Sequence, residues 1–128
     1  MEIIKIVILA LSALMLVFVG AMRLRDPIKT YFKNSGIKLE NDNSLLNEMR
    51  GVSAVMLSAG VIIALGIFIE KLTFTSHSVA VLIFIGFAIG RIVSLKADGK
   101  PSKQITQGIL FELVFGVANI FCLINIWV

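Results

Sequence analysis

Four long apolar stretches constrain this chain more than any other feature of its sequence. They cover residues 3–22, 51–69, 79–95 and 105–128. A helix needs about 20 apolar residues to cross a hydrocarbon layer about 30 Å thick. Backbone groups in lipid must satisfy their hydrogen bonds internally, which permits helices and excludes open strands. The sequence therefore predicts an all-α integral membrane four-helix bundle, a single four-span membrane domain over residues 1–128.

The composition agrees with this fold class and argues against an enzyme. Hydrophobic residues make up 58% of the chain and charged residues 16%, whereas soluble domains average about 45–50% and about 25%. The single cysteine, Cys122, excludes an internal disulfide. The single histidine, His77, is expected to be solvated in a short outer loop, because spans two and three are close in sequence. No phosphate-binding loop or nucleophile motif is present, so we expect no enzymatic activity, cofactor, metal or nucleic-acid partner.

Lysine and arginine are distributed unevenly between the connections. The connection between spans one and two holds six of them: Arg23, Arg25, Lys29, Lys33, Lys38 and Arg50. The connection between spans three and four holds three more: Lys96, Lys100 and Lys103. The opposite side has only Lys5 and Lys71. Because basic loops stay in the cytoplasm, we expect a multi-pass protein with both termini extracytoplasmic.

The long connection between spans one and two contains its own helix signals. Asp26 can cap a helix that begins at Pro27, and Gly36 can end it. Three apolar side chains between them repeat at helical spacing: Ile28, Tyr31 and Phe32. The pattern favours a short interfacial helix in the headgroup layer, and the alternative is a solvated loop.

Charged residues from three spans are expected at one depth, near the cytoplasmic end of the bundle. They are Glu48, Arg50, Arg91 and Glu112. Charges in hydrocarbon are costly unless they are paired, so they usually face the bundle interior. We predict that Arg91 pairs with Glu112, and that Glu48 can offer Arg91 a second carboxylate. Arg50 lies on another helix face and can reach phosphates instead.

Small residues suggest where the helices contact one another. Span four carries one polar and glycine-rich face, made of Gly108, Glu112, Gly116 and Asn119. This face is expected to meet protein, since glycines allow close helix approach and Asn119 offers a hydrogen-bonding group. Span three carries Gly86 and Gly90 in a small-xxx-small motif. Packing within the bundle is the favoured use of that motif, and contact with a second subunit is the alternative.

Three functions fit this charged cluster. The leading hypothesis is a non-enzymatic protein that binds a small amphiphile, a lipid headgroup or a partner protein there. The first alternative is a proton- or ion-coupled transporter of small solutes, with Glu112 titrating beside Arg91. The second is an accessory or structural subunit of a membrane complex, or a homo-oligomer. In the simplest interpretation, the cluster is an ion pair between helices that only fixes their register.

Three short motifs resemble a known family. They are NEMRG at residues 47–51, GRIVS at 90–94 followed by DGKPS at 98–102, and Glu112-Leu113 with Gly116. In order and spacing they are similar to the small four-helix bacterial membrane proteins of the domain-of-unknown-function family DUF4345, over roughly residues 45–118. The resemblance implies a bacterial inner (cell) membrane protein whose family has no agreed activity. It also implies that the charged residues paired above are landmarks of that family.

Overall fold

The computed structural model describes residues 1–127, and the ordered elements in that part of the chain are all helical. There are five α-helices: α1 (Glu2–Arg25), α2 (Pro27–Ser35), α3 (Asn43–Phe68), α4 (Thr73–Asp98) and α5 (Lys103–Trp127). All but α2 are long and apolar enough to cross a membrane. The predicted all-α fold is therefore confirmed. The last residue of the predicted fourth span, Val128, lies outside the described residues.

The short helix α2 forms for the local reasons that its sequence suggests. The Asp26 carboxylate accepts a hydrogen bond from the Lys29 backbone N–H at 3.3 Å. Pro27 occupies the first turn, where a missing N–H costs nothing. Gly36 ends the helix in the left-handed conformation, with φ of 67°. The predicted helix in this connection is confirmed.

The bundle packs most closely between α1 and α3. A Cβ at Gly20 would lie 2.8 Å from the Leu57 backbone nitrogen, and one at Gly60 would lie 2.9 Å from that of Val17. These two glycines let the helix backbones approach each other. The core then forms where α4 joins this pair: Leu9, Ala13, Leu16, Met56, Ala59, Ile63, Ala80 and Phe84.

Three of the four glycines predicted to pack helices lie in open space. Apart from its own helix, no described residue comes within 4 Å of a Cβ built at Gly86, Gly90 or Gly108. Only Gly116 is tightly covered, by the Ile85 side chain. For the two glycines of α4, the reason is the rotation of the helix about its own axis. The buried residues of α4 are Ser76, His77, Ala80, Phe84 and Ala88, and residues 86 and 90 both point away from that face.

The connection between α3 and α4 is shorter than the sequence suggests. A single 3-10 turn, Glu70–Leu72, reverses the chain, and α4 begins at once. Ser76 donates a hydrogen bond to the Ile62 carbonyl at 2.8 Å, which ties this first turn to α3. As a result His77 lies inside a helix with 0% of its surface exposed. The prediction of a solvated loop histidine is therefore wrong.

Candidate functional site

A cavity of about 450 Å³ lies at the α2 end of the bundle. Apolar side chains from four helices form much of its wall: Met15, Leu16, Met56, Phe84, Phe87 and Phe111. Polar side chains line the remainder: Arg23, Lys33, Asn34, Arg91, Gln104, Gln107 and Glu112. The cavity is therefore amphiphilic, with charged groups and hydrocarbon facing the same space.

Arg91 and Glu112 meet across α4 and α5 in the wall of this cavity. Arg91 Nε lies 2.8 Å from Glu112 Oε1, and the Glu112 side chain is only 12% exposed. Neither of these two atoms has an aligned hydrogen-bond partner. The contact is thus a close ion pair between two partly buried side chains. The Phe87 ring lies under the guanidinium, 5.9 Å from its central carbon.

A second guanidinium in the cavity belongs to Arg23, which the sequence suggests only as a charge of the first connection. It is 7% exposed, and its guanidinium lies 4.3 Å from the centre of the Tyr31 ring. Its Nη2 donates a hydrogen bond to Ser35 Oγ at 3.2 Å, while Nε has no partner. Helix α2 therefore folds back over the end of α1 and holds this side chain inward.

The helical register of α1 explains why Arg23 turns inward. The buried face of α1 repeats every seven residues through Leu9 and Leu16. Extending that spacing by two more turns reaches Arg23, which places its side chain on the bundle-facing side. Tyr31 and Ser35 are four residues apart on α2, so they share the face that covers the guanidinium.

The other two charged residues of the predicted cluster lie elsewhere. Glu48 is exposed on α3 and makes no ion pair with Arg91. Arg50 donates hydrogen bonds to the backbone carbonyls of Leu24 and Arg25. A cation at this position also complements the negative end of the α1 dipole. Arg50 therefore stabilises the end of α1, whereas Glu48 is solvated. Neither residue lines the cavity.

Asn119 lies outside the cavity, in a second polar cluster about two turns further along α5 than Glu112. Its side chain contacts His77 of α4 at 2.8 Å and Ser12 of α1 at 3.1 Å. All three side chains are fully buried. The predicted polar face of α5 is thus divided between two sites.

Positive charge predominates in the cavity. Among the described residues that line it, Arg23, Lys33 and Arg91 are cationic, and Glu112 is the one carboxylate. Arginine forms strong, directional hydrogen bonds with carboxylate and phosphate oxygens. The arrangement can therefore hold an anion while its apolar wall accommodates hydrocarbon.

Comparison with known proteins gives one match. The family model described as "Domain of unknown function (DUF4345)" matches residues 4–123, which is nearly the whole chain. The chain therefore belongs to this family, as its motifs suggested. No curated protein and no solved structure matches it.

Proposed function

We propose that this member of the DUF4345 family is a non-enzymatic membrane protein that binds an anionic amphiphile in the cavity between α1, α4 and α5. The observation that carries this proposal is that two guanidiniums, the buried one of Arg23 and the partly buried one of Arg91, share this cavity with one carboxylate and a largely apolar wall. The excess positive charge suits an anionic headgroup, and the methionine, leucine and phenylalanine side chains suit an acyl chain.

The two arginines have different roles in this proposal. Arg23 Nε is buried and without a partner, so it offers a donor that an incoming anion would satisfy. Arg91 is held in place by Glu112, and it contributes positive charge to the cavity from α4. An anionic headgroup between them would replace water around both guanidiniums with charge-assisted hydrogen bonds.

The ligand would enter sideways from the lipid. Two of the lining residues, Phe18 on α1 and Phe111 on α5, are 62% and 54% exposed on the outer surface of the bundle. Gly108, one turn before Phe111 on α5, also lines the cavity and has open space where a Cβ would be. An amphiphile in the bilayer could insert its acyl chain past Phe18 and Phe111 while its headgroup stays near Lys33.

The basic residues in the connections indicate on which side of the membrane the cavity lies. Because they favour the cytoplasmic side, we place the cavity in the inner leaflet of a bacterial inner membrane, with both termini extracytoplasmic. The transporter and accessory-subunit alternatives stay predictions.

A steric variant tests the cavity directly. Gly108→Leu adds a bulky side chain at a cavity-lining position where a new Cβ meets no neighbour, and Gly86→Leu adds the same side chain at an equally open glycine outside the cavity. Protein in phosphatidylcholine nanodiscs would be titrated with radiolabelled oleate as a carboxylate probe and lysophosphatidylglycerol as a phosphate probe. We expect saturable binding by the natural protein and by Gly86→Leu, and at least about tenfold weaker binding by Gly108→Leu.

The charge requirement is tested with the same assay. Methyl oleate has the same chain without the anion and should not compete, and Arg23→Gln should weaken oleate binding about tenfold. Binding of methyl oleate as tight as that of oleate would exclude headgroup recognition. Unchanged oleate binding by Gly108→Leu would exclude the cavity itself.

A further inference from the structure

The second polar cluster joins three helices beyond the floor of the cavity. Ser12, His77 and Asn119 come from α1, α4 and α5 and are each 0% exposed. Between this cluster and the Arg91–Glu112 pair lie two stacked phenyl rings, Phe84 and Phe115, 5.2 Å apart. The cluster is therefore separated from the proposed amphiphile site by an apolar layer.

The hydrogen bonds of Asn119 determine which way its amide is oriented. Asn119 Nδ2 lies 2.8 Å from the Phe115 backbone carbonyl, which can only accept a hydrogen bond. The amide nitrogen must therefore face that carbonyl, and Oδ1 must face the histidine. Nδ2 also donates to Ser12 Oγ at 3.1 Å.

This orientation in turn determines the tautomer of His77. Asn119 Oδ1 lies 2.8 Å from His77 Nδ1. Because an amide oxygen only accepts hydrogen bonds, Nδ1 must carry the proton. In the neutral imidazole, Nε2 then holds a free lone pair. That atom is buried and has no partner among the described residues.

The described side chains around His77 donate no hydrogen bond to its Nε2. Ser76 uses its hydroxyl on the Ile62 carbonyl of α3, and that stretch of α3 has no titratable side chain. On α1, the nearby ammonium of Lys5 lies 3.3 Å from the Glu2 carboxylate. On α5, Cys122 is buried one turn from Asn119.

We propose that His77 Nε2 is a proton-binding site in the half of the bundle away from the cavity. A proton can add there without breaking the Nδ1–H bond to Asn119, whose oxygen offsets part of the cost that burial imposes on the imidazolium charge. His77 lies in the second turn of α4, close to the helix end, so a proton has a short path from water. Ionisable side chains inside membrane bundles are rare and often mark proton or ion pathways, which makes His77 a candidate for such a role.

Nuclear magnetic resonance can test this on the natural protein, because the chain contains one histidine. Protein labelled with ¹⁵N-histidine in nanodiscs gives a single imidazole pair of signals. At about pH 8 we expect the Nδ1–H tautomer, and on acidification to about pH 5 a reversible shift of Nε2 to its protonated position. An Nε2–H tautomer, or a Nε2 signal unchanged over this range, would overturn the proposal.

Two asparagine variants separate proton binding from simple helix tethering. Asn119→Leu removes the acceptor for Nδ1–H, so the tautomer preference should disappear and the titration should shift. Asn125→Leu is the matched control, because Asn125 makes the same bond to a preceding carbonyl but is exposed. Its histidine signals should match those of the natural protein. If Asn119→Leu does not fold, the titration of the natural protein decides alone.

Discussion

At the scale of single residues, the charges near the cavity have different surroundings. Glu112 is mostly buried against Arg91, Arg23 is stacked on Tyr31 and bonded to Ser35, and Lys33 remains exposed. A buried charge that loses its partner is strongly destabilising, whereas a solvated charge is not. The Arg91–Glu112 pair should therefore dominate the stability of this end of the bundle.

A double-mutant cycle tests that dependence. Arg91→Leu and Glu112→Leu should each lower the free energy of unfolding by about 3 kcal/mol, because each leaves one buried charge unpaired. The double variant should recover much of the loss. Denaturant unfolding in mixed micelles measures all four proteins, and strictly additive losses would contradict the pairing.

The exposed pair at the start of α1 provides the control for this cycle. Lys5 and Glu2 are 3.3 Å apart, but the Glu2 side chain is 84% exposed. Exposed ion pairs contribute little because water screens them. Glu2→Gln should accordingly unfold at the same denaturant concentration as the natural protein.

At the scale of helices, the closest packing depends on Gly20 and Gly60, which lie outside the small-xxx-small motif of α4. At Gly20 and Gly60 the nearest atoms to a new Cβ include backbone atoms of the partner helix, which cannot rotate away. At Gly86 there is open space. The seam between α1 and α3 should therefore be intolerant of added side chains, and the outer face of α4 should accept them.

Alanine substitution gives the corresponding prediction. Gly20→Ala should reduce the free energy of unfolding by about 1–3 kcal/mol, since the two helices must separate. Gly86→Ala should be neutral or slightly stabilising, because alanine is the better helix former. Thermal unfolding in detergent compares the two variants, and equal stability would show that the seam is not close-packed.

At the scale of the whole molecule, the uneven distribution of basic residues predicts orientation. The α2 connection and the α4–α5 connection should lie in the cytoplasm, and both termini outside. Cysteines introduced as Glu2→Cys and Asp98→Cys in a Cys122→Ala background report the two sides. A membrane-impermeant maleimide applied to intact spheroplasts should label Glu2→Cys alone, and inverted vesicles should reverse the result. The opposite labelling would invert the proposed topology.

Local chemistry accounts for the features that the sequence predicted by itself. Four apolar stretches of membrane-spanning length led to four long helices. The cap at Asp26 and the stop at Gly36 determined α2 within its own few residues. The pairing of Arg91 with Glu112 could also be predicted, because counting residues along two antiparallel helices gives the depth of each side chain in the membrane.

Only the tertiary structure decided which face of each helix turns inward. The long helices are apolar on nearly every side, so periodicity carries little information about rotation. For this reason Gly86 and Gly90 were assigned to a packed interface although they face outward, and His77 was assigned to water although it is buried. Arg23 became part of the cavity because α2 folds over it, and such a contact depends on how two helices meet in space.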